Sequence, residues 1–190
     1  MKKILLTCLF LFLFPKQILA KEADFLIINQ IRGGETCCQS GSLDLFQQIK
    51  NKKEINNLPF GWALRYDALS DSKYSESLDK NGELGLLLEI TPNLASKSGV
   101  LYKGKPDGSD WYFAKNAFLI GYTQEERKKI IDTLFAEFKN KFGDYPHFTV
   151  AWMIDAWSLS YINNVYGVKL HELTKEQYET DSYTLDGGIF

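Results

Sequence analysis

Short apolar runs, each ending in a polar break and followed by a stretch with helical spacing, limit most severely what this chain can fold into. Residues 24–31 run apolar into Arg32-Gly33-Gly34, and 60–66 end at Asp67. Residues 84–88 lead to Glu89 and stop at Pro92, 148–154 end at Asp155, and a fifth strand is expected from Val168. Runs of this length without strict alternation suit strands buried on both faces. Between them lie helical signals. Ser42 precedes Leu43, Phe46 and Ile49, and Thr123 with Glu126 makes a capping box before the stripe Ile131, Leu134, Phe135, Phe138, Phe142. Gly143 and Pro146 end that helix, a shorter one is expected through Leu159, Ile162 and Tyr166, and Thr174 with Gln177 offers a further capping box. Strands alternating with helices specify an α/β protein with a parallel sheet.

The amino terminus reads as a signal peptide over residues 1–20: Lys2-Lys3, an apolar run over 4–14, Pro15, then Leu19-Ala20 at the cleavage point. The run is too short to span a bilayer and no later stretch approaches that length. The expected product is exported, periplasmic or extracellular, without a stable membrane span. It would be a single domain over 21–190. The signal carries three lysines and no acid, so its removal takes the formal charge from −2 to about −5. A mildly acidic chain with no basic cluster excludes a nucleic-acid surface. A complete eight-stranded barrel needs about 250 residues, so the expected fold is a partial (β/α) barrel, truncated at its carboxyl end.

Asp67, Glu89 and Asp155 all fall at the carboxyl ends of strands, where α/β sheets build their ligand sites. Counting back by twos, Asp67 shares a face with Arg65 and Ala63, Glu89 with Leu87 and Gly85, and Asp155 with Met153 and Ala151. Bulky Trp62, Leu64, Leu86, Leu88, Trp152 and Ile154 fall on the opposite faces. Carboxylates gathered at one mouth serve as acid, base or nucleophile at a glycosidic bond, because an oxocarbenium needs negative charge and the leaving oxygen needs a proton. Arg32 and Arg65 would orient substrate, and Glu35 and His171 would face the same mouth. Each acid also has a structural reading. Asp155 is placed to cap the helix beginning at Ala156, and Arg65 to neutralise Asp67.

The span from Asn93 to about residue 110 reads as a long functional loop, with Trp111 beyond it as a stacking platform for a sugar and Trp157 a second aromatic beside Asp155. Cys37 and Cys38 survive signal removal. In an oxidising compartment they would form a strained vicinal disulfide, and otherwise two buried thiols or an intermolecular pair. His147 and His171 have no metal-ligand spacing, and no phosphate or dinucleotide motif occurs, so no metal and no cofactor are expected.

Through Ile31-Arg32-Gly33 with Cys37-Cys38, Leu64-Arg65-Tyr66-Asp67-Ala68-Leu69, Gly85-Leu86-Leu87-Leu88-Glu89-Ile90-Thr91-Pro92 and Ala151-Trp152-Met153-Ile154-Asp155, the chain resembles exported bacterial proteins related to the glycoside hydrolase/deacetylase α/β-barrel superfamily. Thr174-Lys175-Glu176-Gln177 and Thr180-Asp181-Ser182-Tyr183-Thr184 extend the likeness over most of 25–188. The resemblance implies an exported carbohydrate-active hydrolase acting on a poly- or oligosaccharide, or a non-catalytic carbohydrate-binding or envelope interaction protein. Deacetylating members use an Asp and a His-x-x-x-His metal set that this sequence does not contain.

Overall fold

The computed structural model describes residues 26–34, 42–52, 58–104 and 115–173. Five strands, β1 (Ile27–Ile31), β2 (Phe60–Leu64), β3 (Glu83–Leu87), β4 (Phe148–Ala151) and β5 (Leu170–Leu173), pair in sequence order. Every pairing is parallel, and the sheet curls into a half-barrel with helices against its outer face. The expected parallel α/β partial barrel is therefore the fold. The helices are α1 (Ser42–Lys50), α2 (Tyr66–Ser70), α3 (Ser72–Ser75), α4 (Pro92–Lys97), α5 (Gln124–Phe142) and α6 (Ala156–Tyr166), with a 3-10 turn at Leu119–Gly121. Among the described residues no helix is long and apolar enough to cross a membrane.

The helix-facing side of the sheet carries the larger core. Trp62, Leu64, Leu84, Leu86, Leu88 and Ala151 pack there with Ile130, Ile131, Leu134, Phe135 and Phe138 of α5. The α5 capping box forms as the sequence indicates: the Thr123 hydroxyl accepts from the Glu126 amide, and the Glu126 carboxylate accepts from the Thr123 amide. Gly143 ends the helix at φ 95°, a left-handed conformation that L side chains avoid. The concave face holds a smaller cluster of Ala63, Leu87, Phe148 and Val150, with Leu26 and Ile28 against it. Small residues in β2 and β3 make room for one large ring: a Cβ built on Gly85 would lie 2.4 Å from the Phe148 ring.

Two boundaries, at the starts of α2 and α4, differ from the sequence reading. β2 stops at Leu64, two residues early, because Tyr66 already begins α2. Asp67 is thus in the first turn of a helix and not on the strand. The loop expected from Asn93 instead begins with α4: Thr91 caps it by accepting from the Leu94 amide, and Pro92 fills the first turn, where a missing N–H costs nothing. After β3 the chain stays laddered. Leu88 donates to Val150, Ile90 donates to Ala117, and Glu89 bridges Phe118, which returns from the far end of the excursion.

Candidate functional site

The loops that leave β1, β2 and β3 bring four charged side chains into one chain of contacts. Strand alternation aims Arg65 and Glu89 into the concavity, on the side of Ala63 and Leu87. Arg65 donates from its backbone amide to Ile31, and from Nε to the Arg32 carbonyl at 3.0 Å, so β1 and β2 are locked where they end. Its Nη1 meets Glu89 Oε1 at 3.2 Å and its Nη2 meets Asp67 Oδ2 at 3.2 Å. Arg32 closes the series with Nε 3.1 Å from Glu89 Oε2. The order is Asp67, Arg65, Glu89, Arg32, with charges alternating along it.

Burial grades this series from inside to outside. Arg65 is 3% and Glu89 4% exposed, whereas the side chains of Asp67 and Arg32 are 15% and 29% exposed. The other Asp67 oxygen accepts from the Thr91 hydroxyl at 3.3 Å and from Asn93 Nδ2 at 3.2 Å. Gly33 lets the loop after β1 pass this close. Its φ is +80°, and an added Cβ would stand 2.8 Å from the Ala68 amide nitrogen, over the start of α2. Asp67 lies in the first turn of α2 and Glu89 two residues past the end of β3, and Arg65 pairs with both.

Asp155 has other partners. It caps α6, accepting from the Ser158 amide at 3.0 Å and the Ser158 hydroxyl at 2.6 Å, and pairs with Arg127 Nη1 at 2.9 Å. Arg127 also donates to the carbonyls of Leu119, Ile120 and Tyr122, so this aspartate fastens the 3-10 turn and α5 to α6. Asp155 shares none of the contacts of the Asp67–Arg65–Glu89–Arg32 series among the described residues, and the capping alternative describes it. Burial alone would raise its pKa, but the two Ser158 hydrogen bonds and the Arg127 charge outweigh burial and hold it below the ordinary 3.8. A folded pKa below the unfolded one gives stability that is complete above about pH 4 and is lost as pH falls through the folded value. Asp155→Ala should therefore cost about 1–2 kcal/mol at neutral pH and much less in strong acid. Urea denaturation at both pH values checks this, and an equal loss at both would exclude the carboxylate's charge as the cause.

The error at Asp155 has a geometric source. β4 ends at Ala151, and alternation counted backwards through the bend at 152–153 inverts the faces. Ala151 and Ile154 belong to the helix-side core, while Phe148 and Val150 face the concavity. Trp152, assigned by that count to the outer face, stands near the rim, with the Arg32 guanidinium 6.0 Å from its ring centroid. Counting forward from Phe148, the ring that the Gly61 and Gly85 spaces require, would have found it.

His171 pairs in register with Thr149, two residues before Ala151 on the outer face, and shares a 2.6 Å hydrogen bond with its hydroxyl. It does not face the mouth. Burial pushes its pKa below 6.5, against a smaller opposing effect of a backbone hydrogen bond with Val168. Trp157 stacks on Tyr161 one turn along α6, 5.1 Å between centroids at 16°. Glu35, Cys37, Cys38 and Trp111 lie outside the described residues. Thr91, Asn93 and Arg127 carry the polar wiring yet escaped the sequence reading, and only the cap at Thr91-Pro92 signalled any of them. Among the described residues no cluster of three His, Cys, Asp or Glu side chains is placed to hold a metal ion.

Compared with known proteins, the chain matches no family model, no curated protein and no solved structure.

Proposed function

We propose that this chain is an exported carbohydrate-active protein of the glycoside hydrolase/deacetylase type, with its site at the carboxyl-end rim of β1, β2 and β3. Asp67 is the carboxylate that meets the substrate, Arg32 and Arg65 orient it, and Glu89 positions the two arginines. One observation carries this reading. Asp67 and Glu89 converge on a single guanidinium at the end of a parallel sheet where such folds bind ligands, and Asp67 is the more exposed of the two. Export rests on the signal-like residues 1–20.

A second reading, carbohydrate binding without turnover, is favoured by the same pairing. Hydrolysis by two carboxylates requires both to flank the scissile bond. Glu89 is enclosed by arginines, and Asp155 belongs to the cap of α6. Incubating the purified chain with a panel of poly- and oligosaccharides separates the two. Sugar release lowered about 10²- to 10⁴-fold by Asp67→Asn, the range of acid–base contributions, supports the hydrolase. Saturable binding with no release supports the binder. Folded protein that neither binds nor cleaves any glycan would end both.

A further inference from the structure

β5 ends the strand order of the sheet and, among the described residues, pairs with β4 alone. It is four residues long, and Leu170 and Leu173 are exposed on it, so little apolar burial holds it in place. One polar contact fastens its outer face. His171 Nδ1 lies 2.6 Å from the hydroxyl of Thr149, which is 1% exposed, and the same ring makes a backbone hydrogen bond with Val168. Among the described residues the Thr149 hydroxyl has no other partner.

This contact suits one protonation state. With the ring neutral and its proton assigned to Nε2, Nδ1 keeps a lone pair, the Thr149 hydroxyl donates to it, and both groups are satisfied. A proton on Nδ1 reverses the bond. The ring then donates, and the hydroxyl hydrogen is left in a buried place with no acceptor. Nor does a carboxylate stand by to compensate the charge. α6, which leads into β5, contains no charged residue, and its Tyr161 and Tyr166 hydroxyls both donate to Asp132 of α5, which also holds Lys128. Before β4, His147 is exposed and pairs with Glu83. Glu172 pairs in register with Val150 and so takes the concave face, away from His171, and Lys169 is exposed just before the strand. Burial holds the imidazole below its ordinary 6.5, against the smaller effect of the Val168 bond. A folded value below the unfolded one makes this contribution complete above about pH 6.5 and lost as pH falls from there towards the folded value.

We propose that the Thr149–His171 hydrogen bond is an acid-sensitive latch: a neutral imidazole holds β5 on the sheet, and its protonation releases the strand. Release uncovers the β4 edge beside Phe148 and Val150, whose register partners are Leu170 and Glu172. The inference stands apart from the carbohydrate reading. Hydrogen exchange of the purified full chain at about pH 7.5 and about pH 5, on either side of the ordinary 6.5, tests it once rates are corrected for intrinsic pH dependence. Protection across Leu170–Leu173 should fall about tenfold at the lower pH, the order of one lost buried hydrogen bond, while β2 and β3 keep theirs. His171→Asn, whose carbonyl oxygen stands near the place of Nδ1 and takes up no proton, should abolish the difference. His147→Gln, at the only other histidine, should leave it intact. Equal protection at both pH values overturns the proposal, as does a response that survives in His171→Asn or vanishes in Glu172→Gln. If a variant fails to fold, imidazole nitrogen NMR of the parent decides. A neutral ring protonated on Nε2 and titrating below 6.5 supports the latch, and a proton on Nδ1 at the higher pH overturns it.

Discussion

Glu89→Ala is expected to cost about 3–5 kcal/mol of folding stability, the loss typical when one partner of a buried ion pair is removed. The reason is what remains behind. Glu89 holds Arg65 through Oε1 and Arg32 through Oε2, and Arg65 is 3% exposed. Without the carboxylate, the Arg65 charge retains Asp67 and the Arg32 carbonyl but loses the more buried of its two carboxylates. Water reaches this depth poorly, so the desolvation cost of the guanidinium is offset less fully. For a domain of this size, 1 kcal/mol corresponds to about 2–4 °C in melting temperature, which puts the expected fall near 10 °C. Glu89→Gln should lose less, because it keeps an acceptor while discarding the charge. Replacing both partners, Glu89→Leu with Arg65→Met, should recover most of the loss, since an apolar pair of similar volume needs no compensating charge. Double-mutant denaturation curves measure this directly. A loss below about 1 kcal/mol for Glu89→Ala, the range of exposed pairs, would mean that the network is wetter than its burial indicates.

The parts of this network legible in the sequence were those whose physics is local. Strand alternation in β2 and β3 requires only the apolar pattern, and it placed Ala63, Leu87, Trp62 and Leu64 on their faces. The capping box of α5 depends on four consecutive residues, and it is formed by Thr123 and Glu126. Asp155 was ambiguous for a physical reason: a carboxylate after a strand and before a helix has the same sequence context whether it caps or reacts. Only the Ser158 and Arg127 contacts decide, and Arg127 arrives from 28 positions away in the chain. Tyr66–Ser70 was hidden because a helix of five residues has too little periodicity to register against the apolar strand before it. Trp152 is misplaced by the same rule that succeeds in β2 and β3. Alternation holds only while the chain is extended, so a count carried through a bend transfers every side chain to the wrong face.

Gly85→Ala tests the concave face on which the rim stands, and the expected loss is about 3 kcal/mol, at the upper end for overpacking a close-packed core. A Cβ there would lie 2.4, 2.5 and 2.7 Å from three carbons of the Phe148 ring, inside van der Waals contact, and that ring is fully buried. Phe148 cannot swing aside freely, because Val150, Leu87 and Ala63 fill the same cluster. Gly61→Ala should cost less, since its nearest Phe148 carbons would be 3.1 Å away and a small shift relieves them. The diagnostic result is coupling. Phe148→Leu alone opens a void and should destabilise by about 1–3 kcal/mol, less than full truncation of the ring. Combined with Gly85→Ala, the added methyl occupies part of that void, so the double variant should be more stable than the two losses summed, by at least about 1 kcal/mol. Additive losses would show that the ring does not rest on Gly85. Coupling would instead tie the glycine to the seating of Phe148, the first ring in the column that continues through Val150 to Trp152.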